Sequence, residues 1–258
     1  MKAIELMEEL FSLAIEREYS PLGDSCKCGN PDIEINKVAV TMFPTVNVIK
    51  EAKEWGADLL IVHEPLYFNY KEGEPDYIVK EKMKLVEESG LTIYRYHDHP
   101  HYTVPDVIAA GEFKYLDLKG KLETTDVFDL VRFHLDKPVT ALELSEIIKE
   151  KLGVKYVRIA GTLNKPSTVI SGMFGSPGNN VGIELKNEKS EIIIVGETSE
   201  WAYAEYARDA DQLGYNKTLM VIGHVGSERD GMRYTADIIK EKHPELMVKY
   251  IECEEVYK

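Results

Sequence analysis

With 258 residues, 44% of them hydrophobic and 9% aromatic, the chain is long enough for one large domain or two ordinary ones and apolar enough to bury a core, which sets disorder aside. Its 31 Lys and Arg against 45 Asp and Glu give a formal net charge of -14, a long-range field that repels nucleic-acid backbones and anionic membrane surfaces. No stretch joins a basic flank to an apolar run and a small-residue cleavage site, and none reaches spanning length, so the expected setting is cytoplasmic.

Ile4, Leu6, Met7, Leu10, Phe11 and Ala14, at helical spacing, predict a helix from Lys2 to about Arg17. A polar, turn-rich stretch from Ser20 to Pro31 follows. It holds Cys26 and Cys28, which with Cys253 make an odd number of cysteines, as expected of a reducing compartment. A Cys-Lys-Cys pair can hold a soft metal, but no second pair completes a four-ligand site, so free thiols are the favoured reading. INKVAVTMF then reads as a buried strand, Val46 to Trp55 as a helix and ADLLIVHE as a second apolar strand. A helix from Tyr77 to Ser89 and a strand from Leu91 to Tyr96 continue the alternation of parallel α/β domains.

From about Tyr115 to Ser190 the pattern changes. Strands are expected over Asp126 to Phe133, Tyr156 to Ala160 and Thr168 to Phe174, and a helix over Ala141 to Lys151. Alternation then returns: EIIIVGE as strand, Trp201 to Leu213 as helix, LMVIGH as strand, Gly231 to Lys242 as helix and MVKYIE as strand. The first third and the last quarter each contain an apolar strand that ends abruptly in His and Glu, and in doubly wound sheets ligands gather at such carboxyl edges. The expected grouping is therefore a metal-site α/β domain formed by 1–115 with 191–258, and an inserted α/β subdomain over 116–190.

Three segments carry candidate chemistry. His63 and Glu64 follow four apolar strand residues and precede Pro65; neighbouring ligands at a strand end can diverge toward two ions, although a surface turn is the plainer reading. His97, His99 and His101 place three of seven histidines within five positions after a strand, a clustering that packing does not explain and that suits zinc, iron, nickel or copper, with Asp98 able to coordinate or orient a ring. His224 and Glu228, four apart at a predicted helix start, share one helical face, where a Glu is also favoured by the macrodipole alone. Together they offer four imidazoles and two carboxylates, too many for one tetrahedral ion and enough for two. Glu197, in a strand-end Gly-Glu, is a candidate partner to a ligand or a proton acceptor. His134 and His243 are assigned to the surface. The glycine-rich run from Gly172 to Asn180 matches no phosphate-binding fingerprint, and a turn is favoured over a phosphate cradle.

At these residues the chain resembles the NIF-three-like dinuclear metal-centre proteins, labelled GTP cyclohydrolase I type 2 homologues. GADLLIVHEPLYF is similar to the family's Gly-Ala-Asp-apolar-His-His-Pro-Leu block and VIGHVGSE to its Gly-His-x-x-Ser/Thr-Glu block, while VGETSEW resembles a further Gly-Glu segment. The resemblance makes His63, His97, His224 and Glu228 metal ligands. It sets Glu64 where the family has His and His101 where it has Asp, and Trp201 near a position where the family tends to have His. It implies an α/β fold of two related halves, with mixed sheets flanked by helices and the metal site in the cleft between them, assembled as a homo-hexamer. Two divalent ions per chain are expected, zinc, iron, manganese or nickel, with Glu228 bridging. The expected function is a metal-dependent hydrolase of a small molecule, a nucleotide under the family label, in which two ions lower the pKa of a shared water from about 15.7 toward about 7. The alternative is a metal-binding regulatory or structural oligomer without catalytic turnover.

Overall fold

The computed structural model describes residues 1–17, 23–67, 75–125 and 130–257. In chain order they form helix α1 (Ala3–Phe11), strands β1 (Ser25–Cys28) and β2 (Lys37–Thr41), α2 (Val46–Trp55), β3 (Leu59–Val62), α3 (Tyr77–Ser89), β4 (Thr92–Arg95) and the single turn α4 (Asp98–His101). Next come α5 (Val107–Leu116), β5 (Gly120–Thr124), β6 (Val131–Val139), α6 (Ala141–Leu152), β7 (Arg158–Gly161), β8 (Ser167–Met173), α7 (Asn180–Leu185) and β9 (Ile192–Val195). A π-helical turn (Glu200–Ala204), α8 (Glu205–Gln212), β10 (Thr218–Val221), α9 (His224–Lys242) and β11 (Met247–Tyr250) complete the chain. Among the described residues no helix is long and apolar enough to cross a membrane.

Two compact units result, each with its own mixed sheet. The first comprises Met1–Val104 with Met232–Glu254, and its five strands run in the order β1-β4-β3-β2-β11. β4, β3, β2 and β11 are parallel, and β1 caps the edge antiparallel to β4. All four residues of β3 are buried, as a strand covered on both faces requires. Flanking helices start and stop by ordinary caps: Thr45 accepts from the Val48 N–H and Asp76 from the Val79 N–H, and Gly56 and Gly90 close α2 and α3 in the left-handed conformation.

The second unit comprises Pro105–Gly231 with Glu255–Lys258, its sheet ordered β5-β6-β8-β9-β10-β7. Its centre, β8, β9 and β10, is parallel, and antiparallel partners lie on both sides. One core packs Leu144, Ile148, Phe113 and Phe133 against Ile170, Ile192 and Met220; a second, on the other face, gathers Val181, Leu185, Ile193 and Leu219. These boundaries differ from the expected grouping of 191–258 with 1–115. β9 pairs with β8 and β10 with β9, so residues 191–231 share a sheet with the segment expected to be an insert.

Element positions differ from expectation in a few places. β1, β5 and the helices α4, α5 and α7 were not anticipated, α1 stops at Phe11 rather than near Arg17, and the helix start expected at His224 and Glu228 joins the helix expected from Gly231 as the single element α9. Of the strand expected from Asp126 to Phe133, residues 126–129 lie outside the described residues, and β6 occupies the remainder from Val131.

Candidate metal centre

In the first unit the carboxyl edge of β3 delivers His63 and Glu64. Both backbone N–H groups donate to the Met42 carbonyl, at 3.1 and 3.0 Å, which fixes the strand end. His63 is fully buried and its Nδ1 lies 3.0 Å from the Tyr96 carbonyl. A carbonyl only accepts, so Nδ1 carries the proton and the lone pair is on Nε2. The His63 ring stacks on His97 with centroids 4.5 Å apart, and His101 approaches both edge-on at 5.2 and 5.5 Å. One ligating atom from each of these three imidazoles lies within 4.8 Å of the other two. Burial first, and the neighbouring His63 second, hold the His97 imidazole below its ordinary value, which favours the neutral form that a metal binds. Asp98 Oδ1 sits 2.8 Å from His97 Nδ1, leaving Nε2 on the Glu64 side, where it is 3.9 Å from Oε1.

The turn that carries His97 and His101 is organised by Asp24, a residue sequence reasoning passed over. Its side chain is 1% exposed. Oδ1 accepts the N–H groups of His97 and Asp98 at 2.6 and 3.0 Å, and Oδ2 accepts that of His99 at 2.8 Å and faces His99 Nδ1 at 2.6 Å. Burial by itself raises the Asp24 pKa; the hydrogen bonds from the His99 side chain and the three backbone groups outweigh it and hold the carboxyl at about 2. His99 therefore serves the turn, its ring stacked on Phe11 at 4.3 Å.

In the second unit α9 starts where β10 ends, and its first turn presents His224 and Glu228. His224 Nδ1 lies 2.6 Å from Glu197 Oε1, and Nε2 lies 3.1 Å from Glu228 Oε2. Glu228 is buried and Glu197 about half exposed. An imidazole whose outer nitrogen is held by a carboxylate while the inner one faces a second carboxylate is a common arrangement at metal sites.

Of the six expected ligands, His63, Glu64, His97 and His101 thus meet in one unit, and His224 and Glu228 meet in the other. The donors suit a divalent ion of the zinc, iron or nickel type: imidazole nitrogens, with carboxylates beside them. Trp201 is 83% exposed on the π-helical turn. His134 pairs with Glu123 at the surface. His243 is only partly exposed, its Nε2 2.9 Å from Glu9 Oε2, a link between α9 and α1. A bulge lies between Cys26 and Cys28, whose partners on β4 are the adjacent Tyr94 and Ile93, and both thiols are free. In the glycine-rich run the Gly175 N–H donates to Ser227 Oγ at 2.9 Å and Asn180 N–H to the Pro177 carbonyl at 3.3 Å, the donors of a turn rather than of a phosphate cradle.

A family model for Duf34/NIF3 (NGG1p interacting factor 3) matches residues 1–256. A Clostridium perfringens protein named GTP cyclohydrolase 1 type 2 homolog is 26% identical over 247 residues, 93% of this chain and 90% of that one. A Pyrococcus horikoshii protein of the same name is 26% identical over 220 residues, 81% of each. Among solved structures, protein ybgI, of unknown function, superposes with a TM-score of 0.82 at 20% identity over 99% of both chains. A Bacillus cereus protein related to NIF3 does so with a TM-score of 0.80 at 15% identity, over 100% of this chain and 99% of that one. At such identities the structural likeness establishes a shared fold.

Proposed function

The chain belongs to the Duf34/NIF3 family, and from that premise we propose that it is a two-metal hydrolase in which His63, Glu64, His97, His101, His224 and Glu228 hold two divalent ions. The observation that carries the reading is the imidazole trio of His63, His97 and His101, with ligating atoms within 4.8 Å of one another. The six donors, the His224–Glu228 pair included, exceed what one tetrahedral ion takes, so two ions are assigned to them. Divalent ions held there would supply positive charge to polarise a substrate oxygen and to make water more acidic.

The chain's own residues prepare that chemistry. Tyr96 and Asp98 hold His63 and His97 through Nδ1, so both rings offer Nε2. Glu197 does the same for His224 and, being half exposed, is the group able to accept a proton from water. Glu228, with two carboxylate oxygens, would serve both ions. The substrate is a small molecule of the nucleotide type suggested by the relatives' name, GTP cyclohydrolase 1 type 2 homolog. By resemblance the chain works as a homo-hexamer, and the sequence reading assigns it to the cytoplasm.

Elemental analysis of untagged wild type and His97→Ala tests the metal reading. Expected is near two equivalents of zinc, iron, manganese or nickel per chain, falling in the variant; under about a tenth of an equivalent after reconstitution overturns it. Hydrolysis of a panel of nucleotides, phosphoesters and peptides by wild type and Glu228→Ala tests the activity. Equal rates leave a metal-binding oligomer without turnover.

A further inference from the structure

The loop after β8 has no role in the chemistry described, yet it touches its most buried carboxylate. Gly175, at φ +65°, presents a bare Cα to Glu228: a Cβ there would lie 2.8 Å from Glu228 Cδ and collide with Oε1. The loop is held against this carboxylate from two sides. Ser227 Oγ, fully buried, accepts the Gly175 N–H at 2.9 Å and donates to the His224 carbonyl at 2.9 Å. Glu197 N–H donates to the Gly175 carbonyl at 2.8 Å. Gly196 lets the two strand-end loops close, since a Cβ on it would meet the Gly175 carbonyl and Ser227 Oγ.

The contacts form a closed circuit. The residue after Ser227 is Glu228, the residue after Gly196 is Glu197, and the circuit returns through the His224 carbonyl to the ring that both carboxylates touch. From this geometry we infer that Gly175, Gly196 and Ser227 are positioning residues that set where the Glu228 carboxylate stands. The glycine-rich loop is a backstop for a metal ligand: Gly175 is needed for closeness to a carboxylate and has spent its N–H on Ser227. The inference deepens the metal-centre reading and rests on it for its consequence, metal affinity, while its structural half is independent of any ion.

Zinc titration against a chromophoric chelator, with full-length protein, tests the consequence. Gly175→Ala should lower affinity by about 10- to 100-fold, the usual range for groups that orient a ligand. Glu228→Asp should weaken binding in the wild-type background but improve it in the Gly175→Ala background, because the shorter side chain withdraws from the added methyl. A merely structural role for Gly175 does not produce that reversal. Should Gly175→Ala fail to fold, Ser227→Ala, which adds no volume and removes the acceptor of the Gly175 N–H, takes its place with the same expected direction. Affinities equal to wild type, or no reversal in the double variant, overturn the inference. Ring 15N shifts of His224 in metal-free protein separate the two readings: if wild type binds none of zinc, iron, manganese or nickel, the metal reading fails, and the positioning of Glu228 still stands or falls on whether Gly175→Ala moves those shifts.

Discussion

Asp24 sits 73 residues before His97, whose N–H it accepts, and nothing in its immediate neighbours marks it. It is one of 45 acidic residues, in a stretch whose composition says only that a turn is present. Histidines are a different matter: seven in the chain, three within five positions, is a density that packing does not produce, so His97 and His101 could be singled out from the sequence, while His63 and His224 were marked by the apolar strand ends they follow. The carboxylates that hold them could not be ranked. Glu197 was suggested by its strand end, whereas Asp24 is defined only by where the chain returns. Asp24→Ala leaves three backbone N–H groups without their acceptor, at a cost of about 1–3 kcal/mol for each that stays dry. We expect a stability loss of about 3 kcal/mol in urea unfolding, with faster hydrogen exchange at the amides of His97, Asp98 and His99. Unchanged exchange at those three amides would show that the turn is held by something else.

Element by element, legibility followed the local signals. α2 and α3 were predicted end to end because each is bracketed by a side-chain N-cap and a glycine in the left-handed conformation. β1 and β5 escaped because short edge strands none of whose residues is buried, SCKC and GKLET, show no apolar alternation. The helix start read at His224 and Glu228 was not joined to the helix read from Gly231 because Gly226 and Gly231 lower helix propensity. Packing overrides it: Gly231 meets Ile108 of α5, where a Cβ would lie 2.5 Å from the Ile108 Cα. The same crossing buries Glu112, whose Oε1 accepts the Asp230 N–H at 2.9 Å. Burial first, and the Asp230 charge second, raise the Glu112 pKa well above its ordinary 4.5. A carboxyl raised on folding stabilises fully below the unfolded value and loses that contribution as pH climbs through the folded one. Wild type should therefore lose stability relative to Glu112→Gln as pH rises from about 4.5, since Gln mimics the protonated acid and keeps the acceptor. Urea midpoints of the two proteins measured from pH 4.5 to 8 decide it; curves that run parallel would mean Glu112 keeps its charge.

For the molecule as a whole, the return of α/β alternation after residue 190 was visible, but not which sheet it joins. Strands such as EIIIV and LMVI carry the same apolar pattern in either sheet, and only the pairing of β9 with β8 assigns them. That matters for the proposed centre, because four of its ligands then belong to the first unit and two to the second. One shared dinuclear centre and two separate half-sites make different thermodynamic predictions. In a shared centre the two ions and their bridge depend on one another, so His97→Ala and Glu228→Ala should not add: after the first has removed most of the binding free energy, the second has little left to remove. Separate sites give losses that sum to within about 0.5 kcal/mol, as distant independent mutations do. Metal affinities for wild type, both single variants and the double variant close the cycle, with the melting temperature as a second readout. Ligand binding raises it through linkage, and chelation should lower it. A coupling of about 1 kcal/mol or more would tie the two units to one centre. Additive losses would leave the imidazole trio of the first unit as a mononuclear site and the His224–Glu228 pair as a separate element, and the bridging role assigned to Glu228 would be withdrawn.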